Sequence, residues 1–408
     1  MAEFVGTRAA GLAAMQMFVA GMGRRYKHGR NYDNGPGQHT NVSMLSPYIR
    51  RRLITEHEVI TAALDAHGPD DASKFVEEVI WRGYYKGWLE RRPQVWDSYV
   101  VGRDADFAAV KRDGRLRRDI ELAEAGNTGF NYFDSWAQEL TQTGYLHNHA
   151  RMWFASIWIF TLELPWRLGA DFFYRHLLDG DAAANTLNWR WAAGLHTRGK
   201  PYPAKRQNID IFTNGRFTPA HGELAEVSKG LEASEPDGLP TIQPIRDMQT
   251  AKPDVPTAVL ITDEDCLVED FNLGALNVQA VAALACSQLR SPRAVSNTVC
   301  QFEDVALRDV ANRLNCASQT LTANDPTGLA DWAASANVQQ IFTPYVTYGP
   351  LRDWLDAALP TLVSRGISLC EQRRDWDEAI WPHATAGFFK VKKQIPRILD
   401  QTMICAST

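Results

Sequence analysis

The stretch from Glu139 to Gly194 places charged side chains inside an apolar run that is rich in tryptophan. Arg151, Asp179 and Asp181 all lie within it. The run also contains Trp153, Trp158, Trp166, Trp189 and Trp191. Charged groups in apolar surroundings are costly unless polar groups pair with them. A large bound ligand with hydrogen-bond donors and acceptors along a ring edge would satisfy that requirement.

The spacing of polar residues in this stretch favours a single site. Asn148, Arg151 and Met152 are three and four residues apart, so a helix would present them on one face. Asp179 and Asp181 offer carboxylates at a helix start, with the Asn185 amide one turn later. A helix cap, an ion pair or a packed aromatic explains each piece alone. Their combination predicts a ligand site.

Length and composition indicate a folded protein with two domains. The chain has 408 residues, of which 45% are hydrophobic and 22% charged. It contains no run of eighteen uncharged apolar residues, and residues 1–22 do not have the layout of a secretory signal. The six cysteines show no C-x-x-C spacing, which argues against zinc and iron–sulfur sites. We expect a protein of the reducing cytoplasm that does not contact a membrane.

The net charge of −5 is unevenly distributed. Residues 1–250 contain 30 Lys and Arg and 30 Asp and Glu, so the whole deficit lies in the remainder. The first part could present a basic face to phosphates, whereas the second would repel them. The Arg50–Arg52 triplet could be such a face, although a solvated helix end explains it equally well.

Two further segments of the first half have residues suited to a ligand. Ser46 followed by Pro47 predicts a helix start, with Ser46 as the cap and backbone N–H groups open to an anion. The aromatic segment 75–89 reads as a helix that presents Glu78, Trp81 and Arg82 on one face. Residues 5–25 also read as a helix, whereas residues 97–124 read as charged and loop-rich.

Residues 218–256 are predicted to be a linker, because they contain six Pro and show no helical or strand periodicity. Strand candidates then alternate with helical patterns, which predicts a parallel sheet of five strands. The strand candidates are 259–262, 294–296, the neighbourhood of Leu321, 338–342 and 367–370. The helical patterns are 275–289, 303–314, 327–335 and 350–364. The domains are therefore expected to be a mainly α domain at 1–217 and a Rossmann-like α/β domain at 257–408.

The central motifs resemble the flavin-binding core of the photolyase and cryptochrome family. The matching residues are Thr143-Gly144, Asn148, Arg151-Met152, Trp166 to Gly169, Asp179 to Asp181, Asn185, Trp189 and Trp191. The resemblance implies that a helical domain binds FAD. The cofactor-binding residues it implies are Tyr26, Ser43, Met44, Leu45, Ser46, Arg82, Asn148, Arg151, Asp179, Asp181 and Asn185.

The resemblance also implies a light-driven chemistry. In members that reverse cyclobutane pyrimidine dimers, the residues matching Glu78, Trp81, Asn148, Met152 and Trp191 contact the lesion. Trp189 and Trp166 match the inner two electron-transfer tryptophans, while Asp113 stands at the outer position. Trp136, Trp153 or Trp158 could replace the outer tryptophan, or photoreduction could be slow. Asn185 beside the flavin is typical of photolyases, since plant cryptochromes carry Asp there.

Two functions follow from the resemblance: a photolyase acting on UV-damaged DNA, single- or double-stranded, or a cryptochrome-like blue-light photoreceptor with a signalling partner. The retained lesion residues favour repair, and the absence of a strongly basic surface favours the photoreceptor. The family's α/β antenna domain precedes the flavin domain, so this chain looks circularly permuted. No glycine-rich phosphate loop follows Thr262, so we expect no nucleotide site in the α/β half. We also expect no second antenna chromophore. The protein is expected to be a monomer.

Overall fold

The computed structural model describes residues 4–404, so the predicted end of the α/β domain at 405–408, with Cys405, lies outside it. Within that range the first half is helical. The predicted helix over 5–25 is divided by a turn of 3₁₀ helix at Val19–Gly21. The helices of this half are α1 (Arg8–Phe18), α2 (Arg24–Gly29), α3 (Ser46–Arg50), α4 (Glu56–Glu90), α5 (Gln94–Arg112), α6 (Gly114–Ala125), α7 (Asn131–Thr143), α8 (Asn148–Ser156), α9 (Trp166–His176), α10 (Ala182–Ala192) and α11 (Arg206–Phe212).

The long helix α4 begins with a capping box. The Thr55 hydroxyl accepts from the Glu58 N–H, and the Glu58 carboxylate accepts from the Thr55 N–H. At Gly68 the backbone turns to φ 69°, and Pro69 follows, so the helix kinks there. The part beyond the kink contains the predicted helix 75–89.

The prediction of loops at 97–124 is wrong, because α5 and α6 occupy nearly all of that segment. Asp113 separates them, and its carboxylate caps α6 by accepting from the Arg115 and Leu116 N–H groups. Many of the charged side chains face solvent, which hid the helical pattern.

The second half contains a five-stranded parallel sheet, as predicted. The strands are β1 (Pro256–Ile261), β2 (Asn277–Ala285), β3 (Gln319–Thr322), β4 (Gln340–Pro344) and β5 (Ser368–Gln372). Their order in the sheet is β3-β2-β1-β4-β5. The helices between them are α12 (Asn297–Arg313), α13 (Thr327–Ser335) and α14 (Pro350–Ser364).

One strand lies where the sequence predicted a helix. The segment 275–289 contains β2, which pairs with β1 and β3. Residues 294–296, expected to form a strand, instead end at Ser296, which is the N-cap of α12. The β2 residues Ala282–Leu284 are buried between two neighbouring strands. A short apolar run of this kind is ambiguous between a helix and an interior parallel strand.

The chain after β5 returns to the helical half. It forms α15 (Asp375–Ile380), a 3₁₀ turn at Trp381–His383, α16 (Phe389–Lys392) and α17 (Ile395–Gln401), and α15 and the turn pack on α4. Glycines make this contact possible, since a Cβ on Gly83 would lie 2.8 Å from Ile380 and one on Gly87 would lie 2.8 Å from the Trp381 Cα.

The Arg50–Arg52 triplet is buried, so it is neither a DNA-facing patch nor a solvated helix end. Arg50 donates to the Asp263 carbonyl at 2.6 Å and pairs with Glu264 at 2.6 Å. Burial alone would raise the pKa of Asp263, but Arg50 and Arg51 hold it well below its usual range. Paired charges therefore join the helical half to the sheet.

Among residues 4–404, no helix has the length and apolar character needed to cross a bilayer.

Candidate functional site

A cavity of about 640 Å³ opens in the helical half, between α4, α8 and the segment before α3. Nine of the predicted cofactor residues line it: Tyr26, Ser43, Met44, Leu45, Ser46, Arg82, Asn148, Arg151 and Asp179. The predicted lesion residues line it as well: Glu78, Trp81, Asn148, Met152 and Trp191. Segments distant in sequence thus meet at one cavity.

A smaller cavity of about 90 Å³ adjoins the first. Asp181, Asn185 and Trp189 line it, and Arg82, Asn148, Arg151, Met152 and Asp179 belong to both linings. The two cavities form one recess whose inner end lies against α10. Trp166 is outside both linings.

An ion pair connects α8 to the segment before α10. Arg151 Nη2 donates to Asp179 Oδ2 at 3.0 Å, and Arg151 Nε donates to the Leu146 carbonyl at 2.8 Å. Burial acts to raise the pKa of Asp179, but Arg151, with a hydrogen bond from Ser46, brings it below its usual value. The carboxylate is therefore charged at neutral pH.

Asp181 and Asn185 are positioned by α10. The Asp181 carboxylate caps the helix by accepting from the Ala184 N–H at 2.8 Å. Burial opposes its ionisation, yet the nearby charges of Lys86, Arg82 and Arg50 lower the pKa of Asp181. The Asn185 amide donates to the Ala170 carbonyl at 2.8 Å, which fixes the plane of the amide.

The segment before α3 differs in detail from the expectation. Leu45, which makes no side-chain capping bond, is the N-cap, and Ser46 is the first helical residue, so Ser46 is not the cap. Pro47 follows in the first turn as expected. Met44 adopts φ 52°, a left-handed conformation that is strained for a residue with a side chain.

Glu78 lies in a cluster of charges at the mouth of the cavity. Lys74 Nζ is 2.9 Å from Glu78 Oε1, and Arg30 Nη1 is 3.3 Å from the same oxygen. Trp81, one turn further along α4, is partly exposed to the cavity. The Trp81 ring stacks on Phe388 with ring centroids 3.8 Å apart and planes 11° apart.

The two tryptophans predicted to transfer electrons have different neighbours. Trp189 packs edge-on against Trp158, with ring centroids 6.2 Å apart. Trp166 lies 5.9 Å from the Tyr99 ring, which lies 5.3 Å from Trp96. Trp158, one of the alternatives to the missing outer tryptophan, is thus a neighbour of Trp189. Trp136 and Trp153 stack with each other at 5.4 Å.

The recess has unpaired polar atoms suited to a flavin nucleotide. Asp179 Oδ1 and Arg82 Nη1 are buried without a hydrogen-bond partner. Leaving such atoms unpaired costs about 1–3 kcal/mol each, and more for charged groups. A ligand with donors and acceptors along a ring edge would pair with them. The donor set and the size of the cavity therefore fit FAD.

Several residues that line the cavity were not predicted from the sequence. Lys74 could have been found from its position four residues before Glu78. Tyr145 directly follows the Thr143-Gly144 motif. The Arg151 guanidinium carbon lies over its ring, 5.6 Å from the ring centroid. Phe388 and Phe389 had no local signal, because only the fold brings the end of the chain to α4.

Comparisons with known proteins match part of the helical half of the chain. The family described as the FAD binding domain of DNA photolyase matches residues 75–219. A deoxyribodipyrimidine photo-lyase of Streptomyces griseus is 30% identical over 230 residues, which are 52% of this chain and 47% of that protein. Another, from Thermus thermophilus, is 32% identical over 202 residues, 47% of this chain and 44% of that protein.

A crystal structure of a class III photolyase from Agrobacterium tumefaciens has 27% identity and a TM-score of 0.43, covering 51% of this chain and 43% of that chain. The present chain thus spans less than half the length of these relatives. The match over residues 75–219 confirms the resemblance stated from the motifs: the helical half of this chain is similar to the FAD-binding domain of the photolyase family.

Proposed function

We propose that this protein binds FAD and uses light to reverse cyclobutane pyrimidine dimers in UV-damaged DNA, as a deoxyribodipyrimidine photolyase-like lyase. One observation carries the proposal. The lesion residues Glu78, Trp81 and Trp191 line the same cavity as the cofactor residues Arg151 and Asp179. A base in the outer part of the cavity would thus adjoin a flavin in the inner part.

The protein's contribution towards FAD is binding and charge placement. Arg82, Arg151 and the segment 43–46 would hold the cofactor, with Asp179 and Asp181 fixed as carboxylates beside it. Asn185 would face the ring as a neutral amide that hydrogen-bonds without titrating. Reduced FAD, when bound, supplies an electron to an adjacent lesion after absorbing light.

Towards the lesion, the residues bind and orient a base that has left the duplex. Dimers are already poorly stacked, which lowers the cost of extrusion. Trp81 and Trp191 would stack on the lesion, and Met152 would add a polarizable contact. Glu78 would accept hydrogen bonds from a base edge, and its pairing with Lys74 and Arg30 compensates the charge it brings to the cavity.

A second candidate function is a blue-light photoreceptor that signals to a partner. It is favoured by the stacking of Phe388 on Trp81, which covers a surface that a lesion would use. The residues retained around Glu78 favour repair, because a photoreceptor has no use for contacts to a damaged base.

We also propose that the α/β half is a permuted counterpart of the antenna domain, without a second chromophore. In parallel sheets with this order, ligands bind at the carboxyl ends of the strands, where the connections diverge. Here that crevice, between β1 and β4, retains only about 10 Å³. Arg50 and Arg290 fill it and pair with Asp263.

The repair activity is tested with FAD-loaded, reduced protein and an oligothymidylate containing cyclobutane dimers. We expect restoration of intact thymines under blue light and none in the dark, and a large loss of activity in Glu78→Gln. Photoreduction of FAD without dimer reversal, on either single- or double-stranded substrate, would favour the photoreceptor instead.

A further inference from the structure

The end of the chain reaches into the mouth of the proposed lesion pocket. Gly387, Phe388 and Phe389 line the large cavity, although they come from the opposite end of the sequence to α4. Phe388 is 5% exposed, whereas Phe389 beside it is 76% exposed. The two neighbouring phenylalanines therefore have opposite environments: both line the cavity, but only Phe388 is buried, against Trp81.

The contact between Phe388 and Trp81 is a face-to-face stack. The ring centroids are 3.8 Å apart and the planes are inclined by 11°. Phe388 also meets the Tyr84 ring edge-on, with centroids 5.7 Å apart. A nucleobase stacked on that face of Trp81 would need the space that Phe388 fills, so the two cannot be present together.

A polar contact holds the segment that carries Phe388 on each side. Before it, the Arg92 guanidinium donates to the Thr385 carbonyl at 2.8 Å. After it, Lys392 Nζ lies 2.7 Å from Glu77 Oε1, in a pair whose lysine side chain is 43% exposed. A Cβ on Gly387 would meet no atom within 4 Å, so the space beside this residue is open.

We propose that Phe388 determines access to the pocket by competing with an extruded base for the face of Trp81. The inference rests on the proposed function, because the ligand is a dimer-containing strand. Binding requires the open arrangement, so the apparent affinity is the intrinsic affinity multiplied by the fraction of molecules in which Phe388 is withdrawn. Phe388 is thus a specificity-determining residue: a ligand that stacks strongly displaces it, and one that stacks weakly does not.

The test measures the affinity of FAD-loaded full-length protein for a fluorescent oligothymidylate with and without UV-induced dimers. Phe388→Leu keeps an apolar side chain in the core but cannot stack, and Phe388→Ala removes the ring and most of the side chain. Both should bind the dimer-containing strand about 2- to 10-fold more tightly than wild type, the range expected for one aromatic stack. Val363→Ala, on α14, is the control: its side chain is 70% exposed and lines neither cavity, so the affinity should be unchanged. Adding Trp81→Ala to Phe388→Leu should abolish the gain.

The outcomes separate the inference from the function on which it rests. Wild-type repair with unchanged or weaker binding in both Phe388 variants would overturn the inference and leave the repair function standing; weaker binding would make Phe388 a fixed wall of the site. Failure of wild type and Phe388→Leu alike to bind or repair the strand would overturn the repair function, and the inference with it.

Discussion

The Arg151 guanidinium lies 3.0 Å from the Asp179 carboxylate, across the wall that the two cavities share. Asp179 is buried, and its second oxygen has no partner within the protein. The pair therefore presents a fixed positive and a fixed negative group to whatever fills the recess. The same ion pair that joins α8 to the segment before α10 therefore also lines the proposed FAD site.

Replacement of Arg151 by Ala should strongly weaken FAD binding. It leaves the Asp179 carboxylate buried and unpaired, and breaking such a pair costs about 3 kcal/mol or more. Fluorescence titration of apoprotein with FAD and the melting temperature measure the effect. Arg24→Ala is the matched control, because the Arg24–Asp71 pair lies in solvent. Equal FAD affinity in both variants would show that Arg151 and Asp179 do not support the cofactor.

Light-driven reduction of bound FAD should depend on Trp189. Trp189→Phe should suppress the absorbance change of flavin reduction under blue light in the presence of an external reductant, without displacing FAD. Trp166→Phe and Trp158→Phe then distinguish the routes, since Trp158 contacts Trp189 and Trp166 contacts Tyr99. Normal photoreduction in Trp189→Phe would show that electrons reach the flavin by another path.

The contact between α4 and the returning chain should be intolerant of a side chain at Gly87. A Cβ there would lie 2.6 Å from the Trp381 ring and 2.8 Å from its Cα, so Gly87→Ala should destabilise the protein. Gly328→Ala, in the first turn of α13, is the control: its Cβ would meet nothing within 4 Å, so it should not destabilise the protein. Denaturant unfolding measures both, and a stabilised Gly87→Ala would contradict the packing described.

A buried carboxyl at the end of α4 should make stability depend on pH. Burial raises the pKa of Glu90 to about 7, while the Tyr345 hydroxyl donates to it at 2.5 Å. The folded protein then binds more protons than the unfolded chain between about pH 4.5 and 7, so this contribution to stability is lost as the pH rises.

Glu90→Gln cannot titrate and should lack that loss. Its stability relative to wild type should therefore increase between about pH 5 and pH 8, by up to about 3 kcal/mol. Urea unfolding of both proteins across this range gives the difference directly. Because other titrating groups are common to both proteins, parallel curves would show that Glu90 ionises normally.

The residues of the site were predictable where one helix face or one turn holds them together. Asn148, Arg151 and Met152 share α8, and Asp181 caps α10 as its spacing indicated. The five-stranded sheet was predictable from alternation, but β2 was not, because its alanine-rich run also suits a helix.

Long-range contacts had no local signal. The burial of Arg50–Arg52 arises from the docking of the sheet, and the position of Phe388 on Trp81 arises from the return of the chain after β5. Gly83 and Gly87 could have indicated a close contact on α4, although nothing in the sequence names the partner.

The most direct test of this account is the uptake of FAD by the full-length protein. Purified or reconstituted protein should be yellow and should release about one equivalent of non-covalent FAD per chain on denaturation. Uptake should fall sharply in Arg151→Ala and remain unchanged in Val363→Ala, whose side chain is largely exposed and lines neither cavity. A colourless protein that takes up no FAD on reconstitution would contradict the account.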